Sequence, residues 1–355
     1  MKPNDQKLIS AAPAVRKALL GWFIKHQRPM PWRQKISAYR TVVSELMCQQ
    51  TQIATATPYF ERWVARWPDF KSLAAATEAD VMKLWAGLGY YSRARNLHRL
   101  AKEVASLQEI PRTAEAWQNF PGVGPYTAAA IASIAFNQPV AVVDGNVIRV
   151  LSRLTGHRGL LKNGVSGARF FTPLANRLIA GQSPGNFNQA MMELGATVCR
   201  KAAPDCVKCP LSKWCVAKAQ RTTGQIPKFE MKKRTTQQVQ RALIMNGGKI
   251  LLHRQDAKAR RLAGVAEIPD LLHLNIKTKA APVLVRRRTI GQVTYEENLF
   301  SINLSKTTQK FLLRSGQWEW VAVDQLDEAA LSGPHRRWLA EWLSLSDRPK
   351  RGRRT

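Results

Sequence analysis

Acidic side chains are scarce in this chain. Its 24 Asp and Glu stand against 55 Lys and Arg, giving a formal charge of +31 and an isoelectric point near 10.7. The shortage is not local: residues 1–224 carry 30 basic and 12 acidic side chains, residues 225–355 carry 25 and 12. Solubility does not need an excess of this size. A polyanionic partner, nucleic acid, is the natural inference, because each phosphate that the protein neutralises releases counterions. Long apolar runs are also missing: no stretch reaches the roughly 18 residues that cross a bilayer, so no membrane partner is expected. Residues 1–20 hold no apolar signal segment with a cleavage site, so no export is expected and a cytoplasmic, nucleoid-associated location is the default. Cysteines number only five, an odd count that argues against a disulfide framework and suits a reducing compartment. No internal repeat is present.

Four of those cysteines are concentrated. Cys199, Cys206, Cys209 and Cys215 follow a C-x6-C-x2-C-x5-C spacing in a loop that also carries Lys201, Lys208 and Lys213. Four thiolates within 17 residues can close around one metal centre. Structural zinc usually draws on two C-x2-C pairs or on His, and only Cys206 and Cys209 form such a pair. An iron–sulfur cluster, also held by four cysteines, is favoured over zinc.

The chain is long enough for two domains with separate cores. Up to Cys215 the apolar periodicity is helical. Ser37 can cap a helix with Val42, Val43, Leu46, Met47 and Ile53 on its apolar stripe. Thr77 and Asp80 resemble a capping box. Residues 91–104 alternate apolar Ala94, Leu97, Ala101 and Val104 with Arg93, Arg95 and Arg99, and Pro184-Gly185 precede another helix. Residues 220–238 lack periodicity and read as a linker. Beyond them, residues 241–253 form a β-hairpin pattern around Asn246-Gly247-Gly248. Further strands are expected at 283–285, 299–304 and 318–323, with helices near 324–331 and 336–345. The expected organisation is an all-α domain over 1–219, a linker over 220–238, a smaller α+β domain over 239–346 and a basic tail over 347–355.

Three places carry candidate chemistry. Phe120-Pro-Gly122-Val-Gly124-Pro125-Tyr126 sits between two helical runs, where the glycines allow a tight turn and close backbone approach and Pro125 suits a first helical position. Such a loop can aim free N–H groups at a phosphate, although a plain interhelical turn uses the same residues. Asp144, in Val142-Val143-Asp144-Gly145-Asn146, follows an apolar run and precedes a helix; it is an N-cap candidate whose second oxygen would stay exposed. Glu45 lies at the edge of the Val42/Leu46 stripe, where desolvation would raise its pKa as a general acid near neutral pH requires. An exposed helix Glu would look the same, and Glu193 poses the same question.

Together, the cysteine spacing, the Pro-Gly-Val-Gly hairpin and the Val-Val-Asp-Gly-Asn run resemble the helix-hairpin-helix DNA glycosylases with an iron–sulfur cluster. Ser44-Glu45-Leu-Met-Cys48-Gln49-Gln50-Thr-Gln52, Gly87-Leu-Gly-Tyr90-Tyr91-Ser-Arg-Ala-Arg-Asn96 and Tyr126 are similar to the adenine DNA glycosylase (MutY) branch. The resemblance spans about residues 28–215. It implies a helix-hairpin-helix catalytic domain with a [4Fe-4S] cluster on the four cysteines, followed by a nudix-like domain. It implies a monomer acting on double-stranded DNA with adenine opposite 8-oxoguanine or guanine, from which the everted adenine is excised. Glu45 would protonate adenine N7, and Asp144 would stabilise the oxocarbenium ion at C1′ or attack it, the paired-carboxyl logic of glycoside hydrolysis. Tyr126 and Asn146 would support that carboxylate. Arg28, Trp32, Arg33 and Glu193 would line the adenine pocket, Gln50 and Tyr90 would wedge into the duplex, and Gly122, Gly124 and Gln49 would contact DNA.

Endonuclease III relatives carry a Schiff-base Lys where this chain has Tyr126, so a monofunctional glycosylase is implied. Cys48 replaces a usual aliphatic residue beside the pocket, as a small hydrophobe. The second domain departs further. Residues 261–269 and the Trp318-Glu319-Trp320-Val321 stretch resemble parts of the nudix-like domain, but no acid-rich metal-binding box appears and pyrophosphate hydrolysis is not expected. The Phe-Ser-His loop that probes 8-oxoguanine would align near Tyr295-Glu296-Glu297. Two carboxylates there would face DNA unfavourably, so a weakened 8-oxoguanine preference is expected.

Overall fold

The computed structural model describes residues 2–181, 183–230, 234–254, 265–305, 316–329 and 331–346. The basic tail at 347–355 and the first part of the 261–269 motif lie outside the described residues. The chain divides into one compact unit built from Met1–Leu88 and Ser92–Met231 and another from Lys232 onward, with which Gly89–Tyr91 groups.

The first unit is helical. Ser37 accepts a hydrogen bond from Arg40 N at 3.1 Å and opens the Ala38–Cys48 helix, whose Val42, Val43, Leu46 and Met47 are buried. The stripe stops earlier than expected. The chain turns at Gln50, with φ of 55°, and Ile53 starts a separate helix, Ile53–Arg66. Arg93 accounts for that stop. It stands between the apolar positions of its helix, Ser92–Ala105, yet it is buried. Its guanidinium donates to Leu46 O at 2.8 Å, Met47 O at 3.2 Å and Gln49 O. These carbonyls end the preceding helix and have no intrahelical donor. Thr77 caps Glu78–Trp85, although Asp80 receives the Thr77 hydroxyl rather than its backbone N–H, so the box is half formed. Trp63, Trp85, Trp117, Phe60, Leu97 and Leu100 fill one side of the unit. A second cluster joins Val15, Leu19 and Phe23 to Ile148, Leu151, Phe171, Leu178, Phe187 and Leu194.

Residues 220–238 are more structured than the lack of periodicity suggested. Lys228–Phe229 pairs in parallel with Leu160–Leu161, and the strand Thr235–Leu243 already begins at Thr235.

The second unit is α+β. Thr235–Leu243 runs parallel to Val293–Ser301, which also pairs antiparallel with Leu284–Ile290. Lys249–Arg254 pairs antiparallel with Met245–Asn246 across Gly247-Gly248, with Ala266–Glu267 and with Trp318–Ala322. The helix Gly333–Ser346 buries Trp338 and Leu339 against Leu243, Ile250, Leu284 and Leu299. The helix expected near 324–331 is instead a short 3-10 turn, Val323–Gln325.

One expectation is corrected here. Tyr295-Glu296-Glu297 is not a loop but the middle of the strand Val293–Ser301. Glu297 is fully buried and accepts from Arg241 Nε at 2.8 Å and Arg288 Nε at 2.6 Å. Glu296 accepts from Arg287 Nε at 2.6 Å and Gln238 Nε2 at 2.8 Å. Both carboxylates are neutralised by neighbouring strands, so they do not form the exposed acidic loop that was expected to repel DNA.

Candidate active site

The Ala38–Cys48 helix, the segment before it and the helices Pro125–Phe136, Gly145–Thr155 and Pro184–Thr197 enclose a cavity of about 580 Å3. Eight residues singled out from the sequence line it: Arg28, Trp32, Arg33, Glu45, Tyr126, Asp144, Asn146 and Glu193. They come from positions up to 165 residues apart, as the Arg28–Glu193 bonds show.

Glu45 is a wall residue. Protein surrounds its carboxyl, and only the cavity leaves part of its surface reachable. Burial pushes its pKa up to about 7; the nearby Asp144 carboxylate adds to the rise and a hydrogen bond with Tyr126 opposes it. Asp144 caps the Gly145–Thr155 helix as expected, Oδ1 accepting from Val147 N at 2.8 Å. Its Oδ2 accepts from Asn146 Nδ2 at 2.9 Å. Burial raises its pKa above the ordinary carboxylate value, and these hydrogen bonds counteract the rise without cancelling it. Two carboxyl groups of perturbed acidity thus face one space, the pattern in which acid and base roles are divided.

Arg149 was not anticipated. It holds Asn146 from behind, donating to Asn146 Oδ1 at 2.8 Å while it also binds Gly195 O at 2.8 Å and Cys199 O at 2.7 Å. The approach is close: a Cβ on Gly195 would stand 2.6 Å from Asn146 Cβ. At the other end of the cavity Glu193 is almost fully buried and clamped twice, by Arg28 Nε at 2.6 Å and Arg33 Nη2 at 2.9 Å. Burial alone would raise its pKa, but the two guanidiniums outweigh burial and hold it below the usual value. Arg33 Nε also donates to Gln189 Oε1 at 3.0 Å. Gln189, Met192, Glu193 and Ala196 line the cavity at i, i+3, i+4 and i+7 of one helix. That spacing was available in the sequence and would have found Gln189 and Met192. Cys48 lines the same wall, its thiol pushed up to about 12 by burial and by Glu45, and is therefore neutral.

The remaining DNA-contact candidates stand outside this cavity. Gln50 and Tyr90 are both exposed and both adopt positive φ, 55° and 49°. Gln49 Nε2 lies 3.3 Å from Thr127 Oγ1. Gly122 needs its glycine: φ is +77° and a Cβ would fall 2.8 Å from Asn96 Cβ. Gly124 opens the Pro125–Phe136 helix with no side-chain cap, so no side chain satisfies its first-turn N–H groups.

The four cysteines of the spaced motif line one small cavity with Arg153. Burial, with the three other cysteines adding to it, pushes the Cys209 thiol up to about 12. Arg153, buried, donates to Cys199 Sγ at 3.3 Å and to the carbonyls of Arg200 and Lys201 at 2.7 and 3.1 Å. Among the described residues no three His, Cys, Asp or Glu side chains converge to hold a single metal ion. Four cysteines lining one shared space suit an iron–sulfur centre, which is held by four thiolates.

Residues 43–164 match the model of the HhH-GPD superfamily of base excision DNA repair proteins. The chain is 45% identical over 230 residues to the adenine DNA glycosylase of Rattus norvegicus, covering 61% of this chain and 44% of that one. It is 44% identical over 221 residues to the adenine DNA glycosylase of Homo sapiens, covering 59% and 40%. Over these residues the chain is similar to the HhH-GPD superfamily and to adenine DNA glycosylases. It spans less than half the length of these curated relatives. Among solved structures, that of a thermostable thymine-DNA glycosylase superposes with a TM-score of 0.53 at 24% identity, covering 59% of this chain and 98% of that one, which supports the fold. No helix among the described residues is long and apolar enough to cross a membrane.

Proposed function

We propose that the chain is a monofunctional adenine DNA glycosylase that everts adenine paired with 8-oxoguanine or guanine and hydrolyses its N-glycosidic bond. The observation that carries this reading is that Glu45 and Asp144 line one cavity and differ in environment, Glu45 having a pKa near 7. A proton from Glu45 passes to adenine N7. The C1′–N9 bond breaks with its electron pair going to the base. Asp144, as the anion, stabilises C1′ or bonds to it until water adds, and the water's proton returns to Glu45. Tyr126 and Asn146 orient the two carboxyls; Arg28, Trp32, Arg33 and Glu193 contact the base. With Tyr126 in the hairpin there is no amine for Schiff-base strand cleavage.

Gln50 and Tyr90 enter the duplex in this reading, and Gly122, Gly124 and Gln49 contact its backbone. Residues 1–219 form the catalytic domain and 239–346 a nudix-like recognition domain, the protein acting as a monomer in the cytoplasm. Cys199, Cys206, Cys209 and Cys215 would hold a [4Fe-4S] cluster, whose positive irons make four adjacent thiolates stable. A brown protein with a visible absorption shoulder supports that assignment. The expected weakening of 8-oxoguanine preference loses the repulsion argument, since Glu296 and Glu297 are ion-paired. The lack of Ser and His in that stretch remains its support.

Single-turnover excision across adenine opposite 8-oxoguanine, guanine and cytosine, with and without alkali, tests the reading and measures the preference. Asp144→Asn should retain duplex binding while excision falls by at least about 10²-fold. Excision by Asp144→Asn at the wild-type rate refutes the assignment.

A further inference from the structure

One exposed glutamine stands where the turn geometry asks for glycine. Gln49, with φ of −59° and ψ of 116°, and Gln50, with φ of 55°, are the central pair of a turn closed by Thr51 N donating to Cys48 O at 3.3 Å. These angles are those of a type II turn, whose third residue has positive φ and is usually Gly or Asn. A larger side chain there is held against its own preference, and such strain persists only where the surroundings fix it. Arg93 supplies the fixing from inside the protein. Its Nη1 donates to Gln49 O as well as to Leu46 O at 2.8 Å and Met47 O at 3.2 Å. Its Nη2 donates to Thr51 Oγ1 at 3.3 Å and Leu88 O at 3.4 Å. The Thr51 hydroxyl in turn donates to Gln49 O at 3.4 Å. Gln50 is thus gripped through the residue on each side while it remains exposed itself.

We propose that Arg93 is a positioning residue for mispair recognition: by holding Gln49 and Thr51 it keeps Gln50 preset in the left-handed conformation from which it enters the duplex. The inference rests on the proposed function, in which Gln50 is a wedge. A wedge that must be ordered on arrival loses part of its binding free energy to that ordering, and one already fixed does not. Arginine suits the task. Its planar fork reaches several acceptors at once, and it stays charged when buried. The carbonyl end of the Ala38–Cys48 helix carries partial negative charge and favours that cation. The Trp85 ring, 5.5 Å from the guanidinium carbon, backs it. Lysine offers a single nitrogen, which cannot reach the acceptors that Nη1 and Nη2 divide between them. Arg93 is buried and cannot itself meet phosphate, so its effect should fall on mispair discrimination rather than on overall affinity.

The test compares binding of the full-length chain to a duplex holding adenine opposite 8-oxoguanine and to the same duplex fully paired. An Asp144→Asn background prevents excision, and 2-aminopurine beside the 8-oxoguanine brightens when the stack is opened. Arg93→Lys should lower the ratio of mispair to paired affinity by about tenfold and cut the 2-aminopurine response, with paired affinity changed by less than about twofold. Gln50→Ala should lower the ratio as well, and adding Arg93→Lys to it should then lower it by less than about twofold more. Thr51→Val keeps the shape and removes one partner of the clamp. It should act in the same direction by about threefold, lose its effect beside Gln50→Ala, and carry the test if Arg93→Lys does not fold. Effects of Arg93→Lys or Thr51→Val that persist undiminished in the Gln50→Ala background overturn the proposal, as does a ratio that neither variant moves. A wild-type chain with no preference for the mispair over the paired duplex would refute the proposed function first, and that result differs from a preference that Arg93 does not govern.

Discussion

Glu45 is placed where it costs the fold something. Its carboxyl keeps a proton up to about pH 7 in the folded chain, against an ordinary value of 4.5. The folded state therefore binds more protons than the unfolded one between those values, and stability declines as pH rises from about 4.5 to about 7. The shift corresponds to at most about 3.5 kcal/mol. Glu45→Gln should raise the thermal midpoint at pH 8 more than at pH 5 while lowering excision by about 10² to 10⁴-fold; an equal change at both pH values would show that the group is not shifted. Excision itself should follow a bell. Its basic limb lies near pH 7, where Glu45 loses its proton, and its acidic limb is displaced upward from the ordinary Asp value, because burial makes Asp144 take up a proton more readily. A single-turnover profile flat from pH 6 to 8 would contradict the division of roles.

At the scale of the element, buried charges decide whether strands and helix ends sit as they do. Glu297 holds two guanidiniums from neighbouring strands, Arg241 and Arg288, away from water. Breaking such a set leaves an uncompensated buried charge and costs about 3 kcal/mol or more. Glu297→Gln should therefore lower the midpoint of thermal unfolding by several degrees, while Glu296→Gln, whose partner Arg287 is largely exposed, should leave it nearly unchanged; calorimetry on the full chain compares them. The same physics explains what could be read from the sequence. Ser37, Thr77 and Asp144 act on backbone within three residues, so their capping roles were legible. Arg93 and Arg149 act on carbonyls 44 to 50 residues away, and a carbonyl leaves no trace in residue type. Tyr295–Glu297 was hidden for a related reason. Its buried face is occupied by an acid paired to arginines, which apolar alternation does not register.

The whole molecule is a polycation with a hole in one unit. Charge is spread over both halves of the sequence, so affinity for any duplex should be dominated by counterion release. The dissociation constant for a fully paired duplex should depend on salt with a log–log slope between about −4 and −9, measured by fluorescence anisotropy. A slope near zero would mean that the excess charge has another purpose. In the proposed function base recognition, by contrast, falls to the cavity, where Glu193 is ion-paired and Glu45 keeps its proton up to about pH 7. Composition points to the first and local motifs to the second. The sequence could not show that residues 28, 45, 126, 144 and 193 share one space, since only the packing of several helices brings them together.

Position 195 makes that packing consequential. Two helix backbones touch there, and the hydrogen of a glycine is all that fits between them and the amide that steadies Asp144. Damage at this point would reach the bond-breaking step through a misaligned amide rather than through lost contact with DNA. A survey that ranked positions by their proximity to the bound base would pass over it, and an affinity assay would score the damaged protein as sound.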